Sequence, residues 1–293
     1  EAKAYLLMDY ESGQVLMANN ADQPLPPASL TKMMTSYIVE QALKSGRLKP
    51  EDQVRVSEHA WCRGTNAESC MYLPLNGSAS VMDMLRGIII QSGNDASKAM
   101  AEHLAGTEAS FAGLMNNEAA RLGMKNTHFV NATGLPDPNH KASAHDLAIL
   151  ARAIIHDSSS YYGIYAEKDF TYNGIKQGNR NALLYTDPTV DGLKTGHTDA
   201  AGYCLIATAK RDFPNLPGGR RLLSIVLGAA SDNARASASY RSSALMPGLR
   251  ASSDSDRVDD GRGAPRRVLR RTASSVCKLA EDRIVDLGTR RAH

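Results

Sequence analysis

No stretch of this sequence approaches the roughly 20 apolar residues of a membrane-spanning helix, and no basic-then-apolar leader opens it. Glu1 instead runs almost directly into a strand-like segment, as expected for a processed or trimmed start. Cysteine is scarce. The four, at 62, 70, 204 and 277, include no Cys-x-x-Cys, so neither a thiolate zinc site nor a dithiol redox pair gains support. Cys62 and Cys70 lie eight apart in one polar loop, where they could bridge in an oxidising compartment or remain unpaired thiols. His128, His140, His145 and His156 match no zinc spacing and read as solvated or capping groups, so no metal or other cofactor is expected. An excess of one charge is missing from the body of the chain. The net charge of +3 falls in residues 251–293, with ten basic against seven acidic residues, while residues 1–250 balance at 24 against 24. That body has no electrostatic footprint for nucleic acid or a membrane surface.

What is present is an ordinary globular composition, 42% apolar and 22% charged over 293 residues, long enough to bury a real core. The stretch on which the chain turns is Pro27-Ala28-Ser29-Leu30-Thr31-Lys32 and the helix it opens. Leu30, Met33, Met34, Tyr37, Ile38 and Ala42 recur on one helical face, which predicts a helix over 29–44 with Gly46 and Pro50 closing it. The prolines are expected to hold Ala28 extended, with Ser29 in the first turn. Ser29 and Lys32 are then about 60° apart, away from the apolar stripe. A hydroxyl and an amine one turn apart at the positive end of a helix can act as nucleophile and base; alone, the same pair reads first as a cap and a solvated lysine.

The rest of the chain falls into three blocks. Residues 4–8 and 14–17 read as a hairpin. A helical block follows, marked by capping-box pairs at Ser80/Asp83 and Ser143/Asp146, by Gly123 as a helix stop, and by a break at Gln91-Ser92-Gly93-Asn94. Strand-like runs return at 169–172, 202–207 and 222–227. This order predicts an α+β fold, an α/β sandwich in which an antiparallel sheet built from both chain ends packs with helices and carries an inserted helical lobe. Beyond about Ser237 the text becomes rich in Arg, Ser and Asp and loses apolar periodicity, apart from one possible amphipathic helix over 275–288. The expected division is 1–240 as the folded domain and 241–293 as an atypical, weakly structured tail.

Three short motifs carry the chemistry: Ser29-x-x-Lys32, Ser92-Gly93-Asn94 in the helix break, and Lys194-Thr195-Gly196 on a sheet edge. Each is common alone; their order and separation are specific. Together with Val190-Asp191-Gly192-Leu193 before Lys194, Gly113-Leu114-Met115-Asn116 and Lys125-Asn126-Thr127-His128-Phe129, they resemble the penicillin-recognising serine enzymes. The nearer likeness is to the low-molecular-mass penicillin-binding proteins of the serine-type D-alanyl-D-alanine carboxypeptidase kind, over residues 4–236.

That resemblance implies a β-lactamase/transpeptidase-like fold and an acyl-enzyme on Ser29, with Lys32 as base if burial beside a second cation, Lys194, lowers its pKa. It implies Ser92 as proton shuttle, Asn94 on the substrate backbone, and Lys194 and Thr195 of the Lys194-Thr195-Gly196 motif on the terminal carboxylate. The N–H groups of Ser29 and His197 would form the oxyanion hole, and Arg180 and Arg235 fall where the family carries arginines near the cleft. The implied partners are a peptidoglycan pentapeptide ending in D-Ala-D-Ala and β-lactams as covalent inhibitors, in the bacterial periplasm or cell envelope. The amphipathic anchor that often ends such chains is not visible. Two alternatives stand beside this reading. One is a β-lactamase of the same fold, although residues 126–139 hold no Glu to position a deacylating water and the middle motif has Gly93 where Asp is expected. The other is a catalytically spent peptidoglycan-binding protein.

Overall fold

A computed structural model describes residues 2–63, 68–213 and 216–244. The tail expected to be weakly structured lies, from residue 245 onward, outside the described residues, as does the 275–288 helix.

The hairpin forms as β1 (Ala4–Asp9) and β2 (Val15–Asn19). After a 3-10 turn (Ala28–Thr31), α1 spans Lys32–Lys44. The short β3 (Gln53–Arg55) and β4 (Ser78–Ser80) pair as a hairpin and lead into α2 (Val81–Arg86). Helices α3 (Asn94–Ala105), α4 (Glu108–Leu122) and α5 (Ala144–Asp157) follow. The second half holds β5 (Asp169–Tyr172), β6 (Ile175–Gly178), the single turn α6 (Leu183–Thr186), β7 (Val190–Thr198), β8 (Gly202–Phe213), β9 (Leu216–Ala229) and α7 (Asp232–Ala244). The capping signals act as read: the hydroxyls of Ser80 and Ser143 accept from the amides of Asp83 and Asp146, and Gly123 ends α4 in the left-handed conformation.

The sheet is antiparallel in the order β2-β1-β9-β8-β7, so the first and last strands of the described chain, β1 and β9, pair side by side. Side-chain alternation divides it into two faces. Leu6, Met8, Leu223, Ile225, Leu227, Cys204 and Ile206 enter the main core with α1 and α5, whereas Leu205, Ala207 and Ala209 pack on the other face against Leu183, Leu184, Val190 and Ala236 of α7. Strand β7 is an edge, which leaves one side of Lys194-Thr195-Gly196 unpaired by sheet. Among the described residues, no helix is long and apolar enough to cross a membrane.

Two local expectations are corrected. Ala28 is left-handed at φ +49, not extended, because a proline restrains the residue before it rather than the one after. And α1 begins at Lys32 rather than at Ser29, which stands in the 3-10 turn; eleven of its thirteen residues are buried, as expected of a mostly buried helix, since it runs between the sheet and the helical lobe. Its polar positions therefore need internal partners. Thr35 donates to the Ala132 carbonyl at 2.7 Å, and Ser36 shares a 2.7 Å hydrogen bond with the Tyr165 hydroxyl, which donates to Glu40 at 2.9 Å. Burial pushes the Glu40 carboxyl up to about 8. A carboxyl with a raised folded pKa contributes stability that is fully present below its unfolded pKa and lost as pH rises through the folded value. Thermal unfolding of Glu40→Gln at pH 5 and pH 9 should therefore show the variant gaining on the parent chain by more than about 1 kcal/mol at the higher pH; a pH-independent difference would contradict a neutral Glu40.

Candidate active site

Ser29, Ser92, Asn94, Thr195, Gly196 and His197 line one cleft of about 280 Å³, with Lys32 and Lys194 buried at its floor. Ser29 stands in the 3-10 turn ahead of α1, half-buried, and Lys32 is the first residue of α1 and wholly buried. The Lys32 amine donates to Asn94 Oδ1 at 2.7 Å and to the Thr133 carbonyl at 2.7 Å, and stands 3.1 Å from Ser29 Oγ. The geometry decides what the amine can do. A neutral amine has two N–H bonds and one lone pair, so with its two short contacts taken by oxygens that only accept, its remaining tetrahedral direction faces the serine hydroxyl.

Burial, first, and the Arg180 charge, second, bring Lys32 down to about 7; Asp95 and Glu68 pull it back up, and Lys98 lowers it further. The second cation expected from sequence was Lys194. Lys194 is itself held well below the usual lysine range by burial, then by Lys32, Arg180 and Arg235. Its amine donates to the Thr195 carbonyl at 3.2 Å, the one protein hydrogen bond recorded for it among the described residues.

Ser92 stands where the helix break was read, and the break has a specific form. A π-turn at Gly87–Gln91 follows α2, and Ser92 ends it at φ +66, ψ +36, a left-handed conformation uncommon outside glycine. Its buried Oγ has no hydrogen-bond partner among the described residues. A strained backbone and an unpaired buried hydroxyl at one residue are marks of a functional position. On the opposite wall Gly196 lies so close to the nucleophile turn that a Cβ there would come within 3.0 Å of the Ser29 amide nitrogen. His197 is exposed, its ring tilted against Tyr203 at 4.0 Å.

The two arginines differ. Arg180 is exposed on the cleft lining. Arg235, on α7, is buried, with its Nη1 spent on the carbonyls of Gly196 (3.0 Å) and Cys204 (3.1 Å) and Nη2 paired to Asp232. It braces the β7–β8 backbone and adds its charge to the cleft from behind.

Three contributors escaped the sequence reading. The Thr133 carbonyl comes from a loop whose Asn131 side chain accepts from the amides of Thr133 and Gly134, an Asx turn that the Asn-x-x-Gly spacing could have flagged. His140 takes the Val130 amide on Nδ1 and so presents Nε2–H to Thr31 Oγ1 at 2.7 Å, tying this loop to the nucleophile turn. Glu68 lines the cleft from the loop that the Cys62–Cys70 disulfide closes; its carboxylate accepts from Asn94 Nδ2 at 3.2 Å.

A sheet joining both chain ends, a serine–lysine pair at the mouth of a central helix and a Lys-Thr-Gly edge strand together define the fold class of the penicillin-binding proteins and DD-transpeptidases. The family model for D-alanyl-D-alanine carboxypeptidase (Peptidase_S11) matches residues 1–231, and the chain belongs to that family. The chain is similar to the D-alanyl-D-alanine carboxypeptidase DacC of Escherichia coli K12, 48% identical over 239 residues that make up 80% of this chain and 58% of that protein. It thus spans somewhat more than half the length of that curated relative. Penicillin binding protein 5 from Haemophilus influenzae aligns with a TM-score of 0.78 and 48% identity, covering 82% of this chain and 69% of that one. Penicillin-binding protein D2 from Listeria monocytogenes, in its cefotaxime-bound form, aligns at 0.73 and 32%, covering 82% and 94%.

Gly134, at φ +86, seats its Cα against the Ala28 carbonyl, where a Cβ would collide with backbone. Gly134→Ala should cost about 1–3 kcal/mol in denaturant unfolding; an unchanged stability would show that the loop carrying Thr133 does not lean on the nucleophile turn.

Proposed function

We propose that this chain is a serine D,D-carboxypeptidase that removes the terminal D-alanine from peptidoglycan stem peptides through an acyl-enzyme on Ser29, and that β-lactams acylate the same serine. The observation that carries this reading is the Lys32 amine, buried, lowered to about 7, with its free direction facing Ser29 Oγ at 3.1 Å. Ser29 Oγ attacks the carbonyl of the penultimate D-alanine as its proton passes to Lys32 Nζ. The carbonyl oxygen becomes an oxyanion, held by the backbone N–H groups of Ser29 and His197. Ser92, whose hydroxyl has no other partner among the described residues, relays a proton to the leaving amine of the terminal D-alanine. A water then cleaves the ester and restores Ser29.

Substrate carboxylate recognition falls to Thr195 and Lys194. Lys194 is buried without a counter-charge, and an incoming carboxylate supplies one, so binding and protonation of Lys194 reinforce each other. Arg180 and Arg235 add positive potential to the same end of the cleft. Asn94 spans the amine and the position of the substrate backbone, and Gly196 lets the edge strand lie against the nucleophile turn. In this reading the enzyme acts in the bacterial periplasm or cell envelope, where a peptidoglycan stem peptide would be met. Residues 1–240 act as the peptidase domain in this reading.

A fluorescent penicillin should label the chain covalently, Ser29→Ala should abolish labelling, and D-alanine should be released from a D-Ala-D-Ala peptide by the parent chain alone. Rapid β-lactam turnover with no stable adduct would favour a β-lactamase, and labelling that survives Ser29→Ala would contradict the assigned nucleophile. Because Lys32 works as a base only when neutral, acylation should rise with pH through about 7 and fall about tenfold per pH unit below it. A flat profile from pH 5 to 8 would remove Lys32 from the role.

A further inference from the structure

The cleft holds one carboxylate that the mechanism above does not use. Glu68 Oε2 accepts from Asn94 Nδ2 at 3.2 Å, and the other end of the same amide, Oδ1, accepts from Lys32 Nζ at 2.7 Å. An asparagine amide can present either end, and the two ends have opposite chemistry. Turned over, Asn94 would set an N–H against the N–H bonds of Lys32 and two oxygens against one another. The carboxylate on its far side excludes that arrangement.

Glu68 is held to this task by its surroundings. It lies two residues before Cys70, inside the segment closed by the Cys62–Cys70 disulfide. The following residues are stitched to the strained helix break: the Asn94 amide donates to the Ser69 carbonyl at 2.7 Å, Ser69 Oγ to the Gln91 carbonyl at 2.8 Å, and Gln91 Nε2 to the Cys70 carbonyl at 3.1 Å. Asp95 adds bonds to the amides of Met71 and Leu73. A surface ion pair to Lys98 is the plainer role for Glu68, but that contact is 3.6 Å long with the carboxylate a third exposed, a geometry worth little. The Asn94 contact is shorter and leads to the base.

We propose that Glu68 is a positioning residue for acylation, fixing which end of the Asn94 amide faces Lys32 and setting a negative charge beside that amine. The inference rests on the acyl-transfer reading above. The charges that act on Lys32 are Arg180 and Lys98, which oppose its protonation, and Asp95 and Glu68, which favour it; Lys194, buried beside it, is the further amine. Removing Glu68 therefore makes the neutral amine easier to reach while freeing the amide to turn.

The test uses the full chain with Glu68→Gln and Glu68→Ala, measuring the rate of labelling by fluorescent penicillin from pH 5.5 to 9 and, separately, the breakdown of the adduct. Glu68→Ala should lower the plateau acylation rate by about tenfold, the effect of losing one charge-assisted hydrogen bond. Glu68→Gln can still accept from Asn94 Nδ2, so it should keep the plateau within about threefold while its acid limb moves to lower pH. A role limited to packing would not move that limb. Parent-like plateau and limb in both variants overturn the proposal. So does an effect confined to adduct breakdown, which would put the carboxylate on water rather than on Asn94. A parent chain that never labels refutes the acyl-transfer reading itself, whereas a labelled parent with unaltered variants refutes Glu68 alone.

Discussion

A lysine amine buried without a carboxylate partner is the constraint on which this structure depends. Lys32 is wholly enclosed, and its nearest contacts are three neutral oxygens: a serine hydroxyl, an amide oxygen and a backbone carbonyl. Burying a charged ammonium in such a place costs several kcal/mol, so the group responds by giving up its proton near neutral pH. A carboxylate against the amine would have kept it charged. The protein holds its acids one step away, Asp95 on backbone amides and Glu68 on the far end of Asn94.

Each wall of the socket comes from a different part of the chain. The 3-10 turn and α1 bring Ser29 and Lys32, the end of the π-turn brings Ser92 and the start of α3 brings Asn94, the loop at 131–134 brings the Thr133 carbonyl, and the edge strand β7 brings Lys194 and Thr195. Close backbone approach joins them: Gly134 lies on Ala28, and Gly196 on the Ser29 amide. Further side chains hold these segments in place, His140 on Thr31 and Arg235, from the cleft wall, on the Gly196 carbonyl. The strain at Ala28 and Ser92 is confined to the points where the segments meet.

Much of the fold was legible because its signals are local. Ser80 and Ser143 read as caps since an extended serine at a helix start bonds the amide three residues on, and Gly123 read as a stop because it tolerates positive φ. The sheet followed from short apolar, strand-like runs early in the chain and again at 202–207 and 222–227. The three motifs were legible by type and spacing, and the structure gathers them around one cleft. What was hidden is non-local. The edge position of Lys194-Thr195-Gly196 was legible, but the full extent of β7, Val190–Thr198, was masked by its glycines and charges. The Arg180 charge acting on Lys32 and the approach of Glu68 across 26 residues to Asn94 depend on packing that no window of sequence contains.

The state of the Lys32 amine decides the account. In the full chain carrying lysine labelled with 13C at Cε, with the Lys32 resonance assigned by its loss in Lys32→Arg, an NMR titration reads that state directly. A midpoint near 7, where burial and Arg180 bring the group, is the expected result. A midpoint near the 10.5 of an ordinary lysine would mean that the amine stays charged at working pH, and would contradict its assignment as the base for Ser29.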